Sequence, residues 1–319
     1  MVMLSFSYRP ICLISLLSML FIGCNTGIES TKQIKMSRDE RREVLPTAED
    51  LLSDSIVSLP LAEWQVGKKF VVVDNKVSYV LESETFRRYG SSRDSLAGHI
   101  LRFDGIETRP TPGEERSAVI RFKDGEDLLR YNTSRSLDDA RLRITGLDLP
   151  MMVDLDMVAL ADSILRNRTL WIKTSLWYDV AGEKITGRKF IPVKIARVRH
   201  GDMVFPLIVD FTDDQNRNAS LYLNVNHTSG LGADSRTLPT LFSLTDPKKS
   251  YPSIIPEVWN LIQCGEVRNG MTKEECKLAL GNPTDVVSGF NWNKTVDMWT
   301  YKDGTFLQFE DGLLVQFRH

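Results

Sequence analysis

The chain has 319 residues, of which 42% are hydrophobic and 26% charged, a balance typical of a folded protein with room for two or three domains. Its 40 basic and 42 acidic residues give a formal net charge of −2 at pH 7. Because the folded part lacks a basic block that could neutralise phosphates, the sequence argues against a nucleic-acid partner.

Residues 1–23 have the features of a secretion signal. Arg9 precedes an apolar stretch, ICLISLLSMLFI, which has the length of a signal h-region and is too short to cross a bilayer. The stretch ends in Gly23-Cys24, an arrangement that resembles the lipobox of bacterial lipoproteins. The resemblance implies cleavage after Gly23 and acylation of Cys24, with two or three acyl chains such as palmitate holding the protein on a membrane lipid surface. The alternatives are an ordinary cleaved signal with an incidental cysteine and a short buried helix.

Residues 24–45 are predicted to form a flexible tether. They mix charges with few apolar side chains, a composition that cannot bury enough surface to offset the entropy of ordering. Asn25 differs from the Asp-after-Cys signal that retains some lipoproteins in the inner membrane. We therefore expect an outer-membrane location in the cell envelope, with the periplasmic and surface faces both open.

Four cysteines are present, of which Cys12 leaves with the signal and Cys24 is the predicted lipidation site. Cys264 and Cys276 remain. In an oxidising periplasm they could form a disulfide, or they could be two separate buried thiols, and the sequence leaves both readings open. Without a nearby histidine they make a poor zinc site.

The folded part begins with a short helix and continues mainly as β-strands. Thr47 is a good N-cap for a helix of about ten residues, and short alternating runs broken by turn residues follow from Trp64 onward. Helical spacing returns at residues 154–165, which we expect to form a connecting helix.

Two stretches share one order of predicted strands. The first has strands near residues 70–73, 100–103, 118–122 and 128–131, and the second near 169–172, 192–198, 207–211 and 220–225. In this alignment Phe122 matches Phe211, and Tyr131 matches Tyr222. The strand lengths favour two small Src-homology-3-like antiparallel barrels in tandem, over residues 46–150 and 151–250. The predicted fold class is therefore mainly β or α+β.

Residues 251–319 contain the clearest local signals. A helix is predicted near residues 256–263, and Thr272 with Glu275 forms the S/T-x-x-E capping box of a second helix, which ends at Gly281. Two Asp-Gly turns then separate three predicted strands, at residues 298–301, 305–309 and 313–317. The residues expected on one apolar face of that sheet are Trp299, Tyr301, Leu307, Phe309, Leu313, Val315 and Phe317.

The stretch from about residue 256 to 319 resembles the SmpA/OmlA (BamE-like) domain of bacterial outer-membrane lipoproteins. The likeness is carried by Gly270-Met271-Thr272 before a helix, Leu280-Gly281-Asn282-Pro283, Trp299-Thr300-Tyr301, and Phe309-Glu310-Asp311-Gly312-Leu313. The resemblance implies two helices packed on a three-stranded antiparallel sheet. Some members of the family assist the machinery that inserts β-barrels in the outer membrane, and the same layout occurs in secreted protein inhibitors.

No pattern of catalytic or metal-binding residues is found in the sequence. The four histidines, His99, His200, His227 and His319, are not in a metal-ligand spacing. Residues 210–218 (DFTDDQNRN) have alternating acidic and amide side chains but lack the glycine and terminal glutamate of a calcium loop, so a hairpin turn explains them equally well. We therefore predict no catalytic residues, no metal site and no cofactor.

Three aromatic residues, Trp171, Trp177 and Tyr178, could line a ligand groove on the second barrel, or could pack in its core. The predicted function is that of a membrane-anchored envelope lipoprotein, a non-enzymatic accessory or scaffold that binds other envelope proteins, with a role in outer-membrane assembly as one form of it. The alternatives are a peptidoglycan- or glycan-binding lipoprotein and an inhibitor of a secreted enzyme.

Overall fold

The computed structural model describes residues 46–83, 96–111, 114–225, 236–291 and 293–318. The predicted signal peptide, Cys24 and the tether lie outside these ranges. The described part is mainly β with short helices, as predicted, and Pro46–His319 forms one compact unit. None of the helices described is long and apolar enough to span a bilayer.

The first sheet has six strands in the order β2-β5-β4-β3-β1-β6, and all neighbours are antiparallel. The strands are β1 (Lys69–Val72), β2 (Leu81–Glu82), β3 (Ile100–Thr111), β4 (Glu114–Asp124), β5 (Asp127–Asn132) and β6 (Met152–Asp154). Helix α1 (Ala48–Asp54) precedes β1, and α2 (Leu137–Arg143) lies between β5 and β6. Short 3-10 helices at Leu61–Glu63, Asn75–Tyr79 and Gly146–Asp148 complete this part of the chain.

The second sheet has seven strands in the order β13-β7-β10-β11-β12-β8-β9, again all antiparallel. Its strands are β7 (Thr169–Ile172), β8 (Leu176–Tyr178), β9 (Lys184–Thr186), β10 (Ile191–His200), β11 (Leu207–Thr212), β12 (Asn218–Leu223) and β13 (Phe242–Ser243). The predicted connecting helix is present as α3 (Leu155–Leu165), which leads into β7, and α4 (Leu238–Leu241) lies between β12 and β13.

The two sheets repeat one topology. Strands β1, β3, β4 and β5 pair in the same order as β7, β10, β11 and β12, and these are the strands that the sequence alignment had matched. The outer strands also correspond, because β6 lies beside β1 as β13 lies beside β7, and β2 beside β5 as β8 beside β12. The likeness of either sheet to a Src-homology-3 barrel stays a prediction.

The register of the strands confirms one predicted residue match. Phe122 pairs with Phe103, and the register of β3 against β4 shifts directly after Phe103. Phe211 pairs with Ile195, and the register of β10 against β11 shifts directly after Ile195. Each sheet therefore has a bulge at the same place, opposite a buried phenylalanine, and bulges of this kind bend and twist the strand that carries them.

The predicted match of Tyr131 with Tyr222 is wrong by one residue. Tyr131 pairs with Ile120, which lies two positions before Phe122. The equivalent residue of the second sheet is Val209, two positions before Phe211, and it pairs with Leu221. Leu221 is therefore the counterpart of Tyr131. Because side chains alternate along a strand, Tyr222 points to the opposite face of its sheet.

The third sheet has four strands, one more than predicted, in the order β14-β15-β16-β17. The strands are β14 (Asp285–Asn291), β15 (Lys294–Thr300), β16 (Phe306–Glu310) and β17 (Leu313–Arg318), and helices α5 (Pro256–Cys264) and α6 (Lys273–Leu280) pack against them. The capping box before α6 is present as predicted: the Thr272 amide donates to Glu275 Oε2 at 2.7 Å, and the Glu275 amide donates to Thr272 Oγ1 at 3.2 Å.

The predicted apolar face of this sheet is correct for β15 and β16 and wrong for the first residues of β17. Trp299, Leu307 and Phe309 are buried, but Leu314 is the buried residue of β17. A register shift between Gln308 and Phe309 places Phe309 opposite Leu314. A one-residue slip reverses the faces of a strand, which is why Leu313 and Val315, expected in the core, are 47% and 38% exposed. Phe317 pairs with the buried Leu307 and so keeps the predicted face, and it is 36% exposed near the end of the strand.

Three hydrophobic cores lie against the three sheets, and neighbouring cores are linked. Strand β1 is buried on both faces, because Phe70 packs in the first core and Val71 in the second. Phe190, at the start of β10, belongs to the third core, where its ring meets that of Trp259 edge-on at 6.0 Å. The predicted domain boundaries at 150/151 and 250/251 stay a prediction.

A buried polar cluster lies where the first two sheets meet. The Asp154 carboxylate caps α3 and accepts from Lys68 Nζ at 2.7 Å and from Ser58 Oγ at 2.6 Å. Lys68 Nζ also reaches the exposed carboxylate of Asp156 at 3.1 Å. A Cβ at Gly146 would lie 2.5 Å from Asp154 Oδ2, so glycine lets the backbone close over the cluster. The cluster fixes α3 to the entry of β1.

Candidate functional site

The two cysteines of the folded part are not joined by a disulfide. Cys264 is exposed at the end of α5 and Cys276 is buried in α6, and both thiols are free. Burial raises the pKa of Cys276 to about 12. Of the two readings that the sequence left open, the structure therefore has two separate thiols, one accessible and one buried. The buried thiol of Cys276 stays protonated and unreactive at neutral pH.

The three aromatic residues predicted as a groove do not come together. Trp177 lies in the second core, where its ring meets Phe211 edge-on at 5.1 Å and its Nε1 donates to the Thr174 carbonyl at 2.9 Å. Tyr178 is the next residue of the same strand and so faces the other side of the sheet. Trp171 is half-buried on β7. Core packing accounts for Trp177, so the predicted groove is wrong as a set.

The acidic turn before β12 is a hairpin turn whose charges are paired within the protein. Asp213 accepts from the guanidinium of Arg217 and from two backbone amides, and these hydrogen bonds hold the pKa of its carboxyl below the usual range against the opposing effect of burial. Asp214 pairs with Arg188. Across the described ranges, no three histidine, cysteine or acidic side chains are grouped so that they could hold a metal ion.

The clearest surface feature of the third sheet is the edge formed by β14. Among the described residues β14 pairs only with β15, so its other side presents unpaired backbone groups. Three apolar side chains on it are exposed to solvent: Val286 by 50%, Val287 by 49% and Phe290 by 85%. We call these three residues with their backbone the β14 edge. An open edge of this kind is a template for pairing with another strand.

The opposite edge of the same sheet, formed by β17, is covered by the chain itself at Leu313 and Leu314. The Gly270 amide donates to the Leu314 carbonyl at 2.7 Å, and the Leu314 amide donates to the Met271 carbonyl at 2.8 Å. Thr272 forms a further bridge with Leu313. Within the described part of the chain, β17 is thus paired on its outer side at its first two residues, whereas the β14 edge has no outer partner along its length.

A cavity of about 330 Å³ lies beside the β14 edge and is lined by Phe290, Ser288 and Asp297 among others. Asp297 is an ion pair partner of Lys273 and also accepts from the Ser288 hydroxyl. These two contacts hold the pKa of Asp297 below its usual range. The Asp297 carboxylate is thus neutralised by the Lys273 ammonium, and the Phe290 ring forms an apolar part of the lining. These surroundings suit an apolar side chain of a segment that pairs with β14.

No signal in the sequence had marked the β14 edge. Residues 285–291 (DVVSGFN) contain a short apolar pair, a serine and a glycine, without the Asp-Gly turns that identified the other strands. Comparison with known protein families, curated proteins and solved structures finds no match for this chain. What defines its class is thus its own architecture, two sheets of repeated topology followed by a helix-covered sheet whose β14 edge is open.

Proposed function

We propose that this protein is a lipid-anchored lipoprotein of the bacterial outer membrane that binds other envelope proteins and catalyses no reaction. The observation that carries the binding role is the β14 edge, an open strand with three exposed apolar side chains beside a charge-balanced cavity. In β-strand addition, backbone hydrogen bonds supply affinity and pockets for alternate side chains supply specificity. The occupant that fits this edge is an extended segment of another protein.

The anchoring part of the proposal is supported by the amino-terminal sequence. Arg9, the apolar stretch 11–22 and the Gly23-Cys24 junction occur in the order that a lipobox requires. Two or three acyl chains on Cys24 give stable attachment, whereas one gives only marginal binding. Residues 25–45 then separate the lipid from the folded unit, which begins at Pro46.

The proposal also assigns fold relationships. We infer that residues 251–319 form a BamE-like domain with an added edge strand, since α5 and α6 pack on an antiparallel sheet and Trp299 with Phe309 lies in their core. The two preceding sheets are proposed as Src-homology-3-like barrels, since each bends at a bulge opposite a buried phenylalanine. An assisting role in outer-membrane assembly follows from the BamE-like resemblance by analogy.

The binding role is tested by crosslinking in cells that carry a photoreactive amino acid at position 287. An envelope protein captured from this position should be lost when Phe290→Asp is added, because a buried carboxylate beside the added strand opposes docking. Tyr79→Asp is the matched control, since Tyr79 is 82% exposed, close to the 85% of Phe290, but lies in the first sheet region. It should leave capture unchanged.

Two results would contradict the binding role. One is capture of the same proteins whether or not Phe290→Asp is present. The other is that no protein is captured while the Phe290→Asp protein sediments with purified sacculi. That result would favour the peptidoglycan-binding alternative.

The anchor is tested separately with labelled palmitate. Cys24→Ala should abolish incorporation of the label, and Cys264→Ala, which removes the exposed thiol of the folded unit, should leave it unchanged. Equal labelling of the two variants would refute acylation at Cys24.

A further inference from the structure

A second cavity, of about 490 Å³, opens between the second sheet and the end of α6. Three cationic side chains line it, Lys173, Lys189 and Arg236, and its lining contains no acidic residue among those that the structure describes. Ligand pockets commonly have volumes of roughly 300–1,000 Å³ and a few converging polar groups. Positive charges that are removed from water without a nearby negative charge are unfavourable, so three of them around one cavity call for an explanation.

Arg236 is held rigidly and is incompletely hydrogen-bonded. Its guanidinium lies 5.6 Å from the ring centre of Tyr178 and 5.9 Å from that of Phe205, and Nε donates to the Tyr222 carbonyl at 2.9 Å. Nη2 is buried and finds no acceptor in the described structure. A guanidinium is a fork that can bind an anion through two N–H groups, and Nη2 is the group of this fork that has no acceptor in the described structure.

Lys189 is the most buried of the three cations, with 9% of its surface exposed. Its Nζ donates to the Ala279 carbonyl, and the ammonium lies 5.7 Å from the ring centre of Phe190. Desolvation lowers its pKa to about 8. An ammonium has three donors and one acceptor is found for it in the described part of the chain, so an anion in the cavity would relieve both the unused donors and the unbalanced charge.

Lys173 is the cation with acidic groups near it. Its Nζ donates to the Pro239 carbonyl at 2.7 Å, and the charges of Glu49 and Asp50 act on it from α1. Glu49 is itself engaged, because it accepts from the Leu244 amide at 2.8 Å. These acids offset Lys173 in part and leave the charges of the other two cations unbalanced.

We propose that this cavity is a binding site for a small organic anion, held through a phosphate or carboxylate group by Lys189 and Arg236 with support from Lys173. Tyr178 and Phe205, which flank the guanidinium, provide the surface for the apolar part of the ligand. The site lies apart from the β14 edge and is independent of protein binding there.

The site is tested by isothermal titration of the full-length protein in detergent with inorganic phosphate and, separately, with succinate at constant ionic strength. Chloride serves as the non-specific anion. We expect saturable binding of one of the two probes, and the probe that binds identifies whether the site prefers phosphate or carboxylate. Lys189→Met should weaken this binding by about tenfold or more, since a hydrogen bond between charged groups is lost.

Lys194→Met is the matched control, because it removes one lysine charge from an exposed position of β10. It should bind the probe as the parent protein does. Lys173→Met serves as the second cavity variant should Lys189→Met fail to fold, and it too should weaken binding. Equal affinity in the cavity and control variants, or no saturable binding of either probe, would overturn the proposal.

Discussion

Replacing Asp154 by alanine is expected to destabilise the folded unit more than any surface substitution. The Asp154 side chain is fully buried and the side chain of Lys68 is 4% exposed. The substitution leaves the Lys68 ammonium buried without its inner partner, and it also removes the acceptor of the Ser58 hydroxyl and the N-cap of α3. The remaining partner is Asp156, whose side chain is 61% exposed and whose charge is therefore screened by water.

The magnitude follows from these contacts. Removing one partner of a buried ion pair costs about 3–5 kcal/mol, because the other charge stays desolvated. Loss of an N-cap side chain costs about 1 kcal/mol, while the exposed carboxylate of Asp156 recovers roughly 0–1 kcal/mol. We therefore expect Asp154→Ala to lower the free energy of unfolding by about 4 kcal/mol.

Urea denaturation followed by tryptophan fluorescence measures this change. Asp156→Ala is the control for a generic loss of charge and should cost no more than about 1 kcal/mol, because its pairing with Lys68 is exposed to solvent. The double variant Lys68→Met/Asp154→Leu should recover much of the loss, since an apolar pair leaves no charge uncompensated. A cost for Asp154→Ala as small as that of Asp156→Ala would refute the reasoning.

The other predictions concern one buried amine, the two thiols and two glycines. Burial lowers the pKa of Lys189 from 10.5 to about 8, so between these pH values the unfolded chain binds more protons than the folded one. The contribution of Lys189 to stability therefore rises from about pH 8 to 10.5. This rise should be absent in Lys189→Met, which is checked by measuring the melting temperature of both proteins against pH. Iodoacetamide should modify Cys264 in the native protein and reach Cys276 only after denaturation, and equal rates would contradict the burial of the second thiol. Gly187→Ala should lower the melting temperature through overlap with the buried indole of β8, at a cost of about 1–3 kcal/mol, whereas Gly289→Ala, with no atom within 4 Å of its added Cβ, should be nearly neutral.

Features that depend on residues close in sequence were predicted well. The N-cap at Thr47, the capping box at Thr272 and the end of α6 at Gly281 all involve groups within a few residues of one another. The repeat of strand order also followed from the sequence, because each strand alternates apolar and polar residues between recognisable turns. In these cases the local pattern and the tertiary structure favour the same conformation.

Features that depend on distant contacts were missed. The register shift between β16 and β17, which buries Leu314 instead of its neighbours, is a choice between two pairings that the alternating sequence leaves nearly equivalent. Strand β14 forms because β15 is there to pair with it, and its own residues carry only a weak strand pattern. The cationic cavity brings Lys173, Lys189 and Arg236 together from segments that no sequence motif connects.

The repeated topology shows how one framework came to hold different chemistry. Lys68 and Arg168 occupy equivalent positions, since the carbonyl of each accepts the amide of the residue just before the bulge of its own sheet, Phe103 and Ile195 respectively. In the first sheet this position is a buried ammonium neutralised by Asp154, whereas in the second it is an exposed guanidinium. In the first repeat, the ion pair of Lys68 with Asp154 thus links the entry of β1 to α3, the helix that leads into the second repeat. In the second repeat, the cations that line the proposed anion site are Lys173, Lys189 and Arg236, none of which occupies this position.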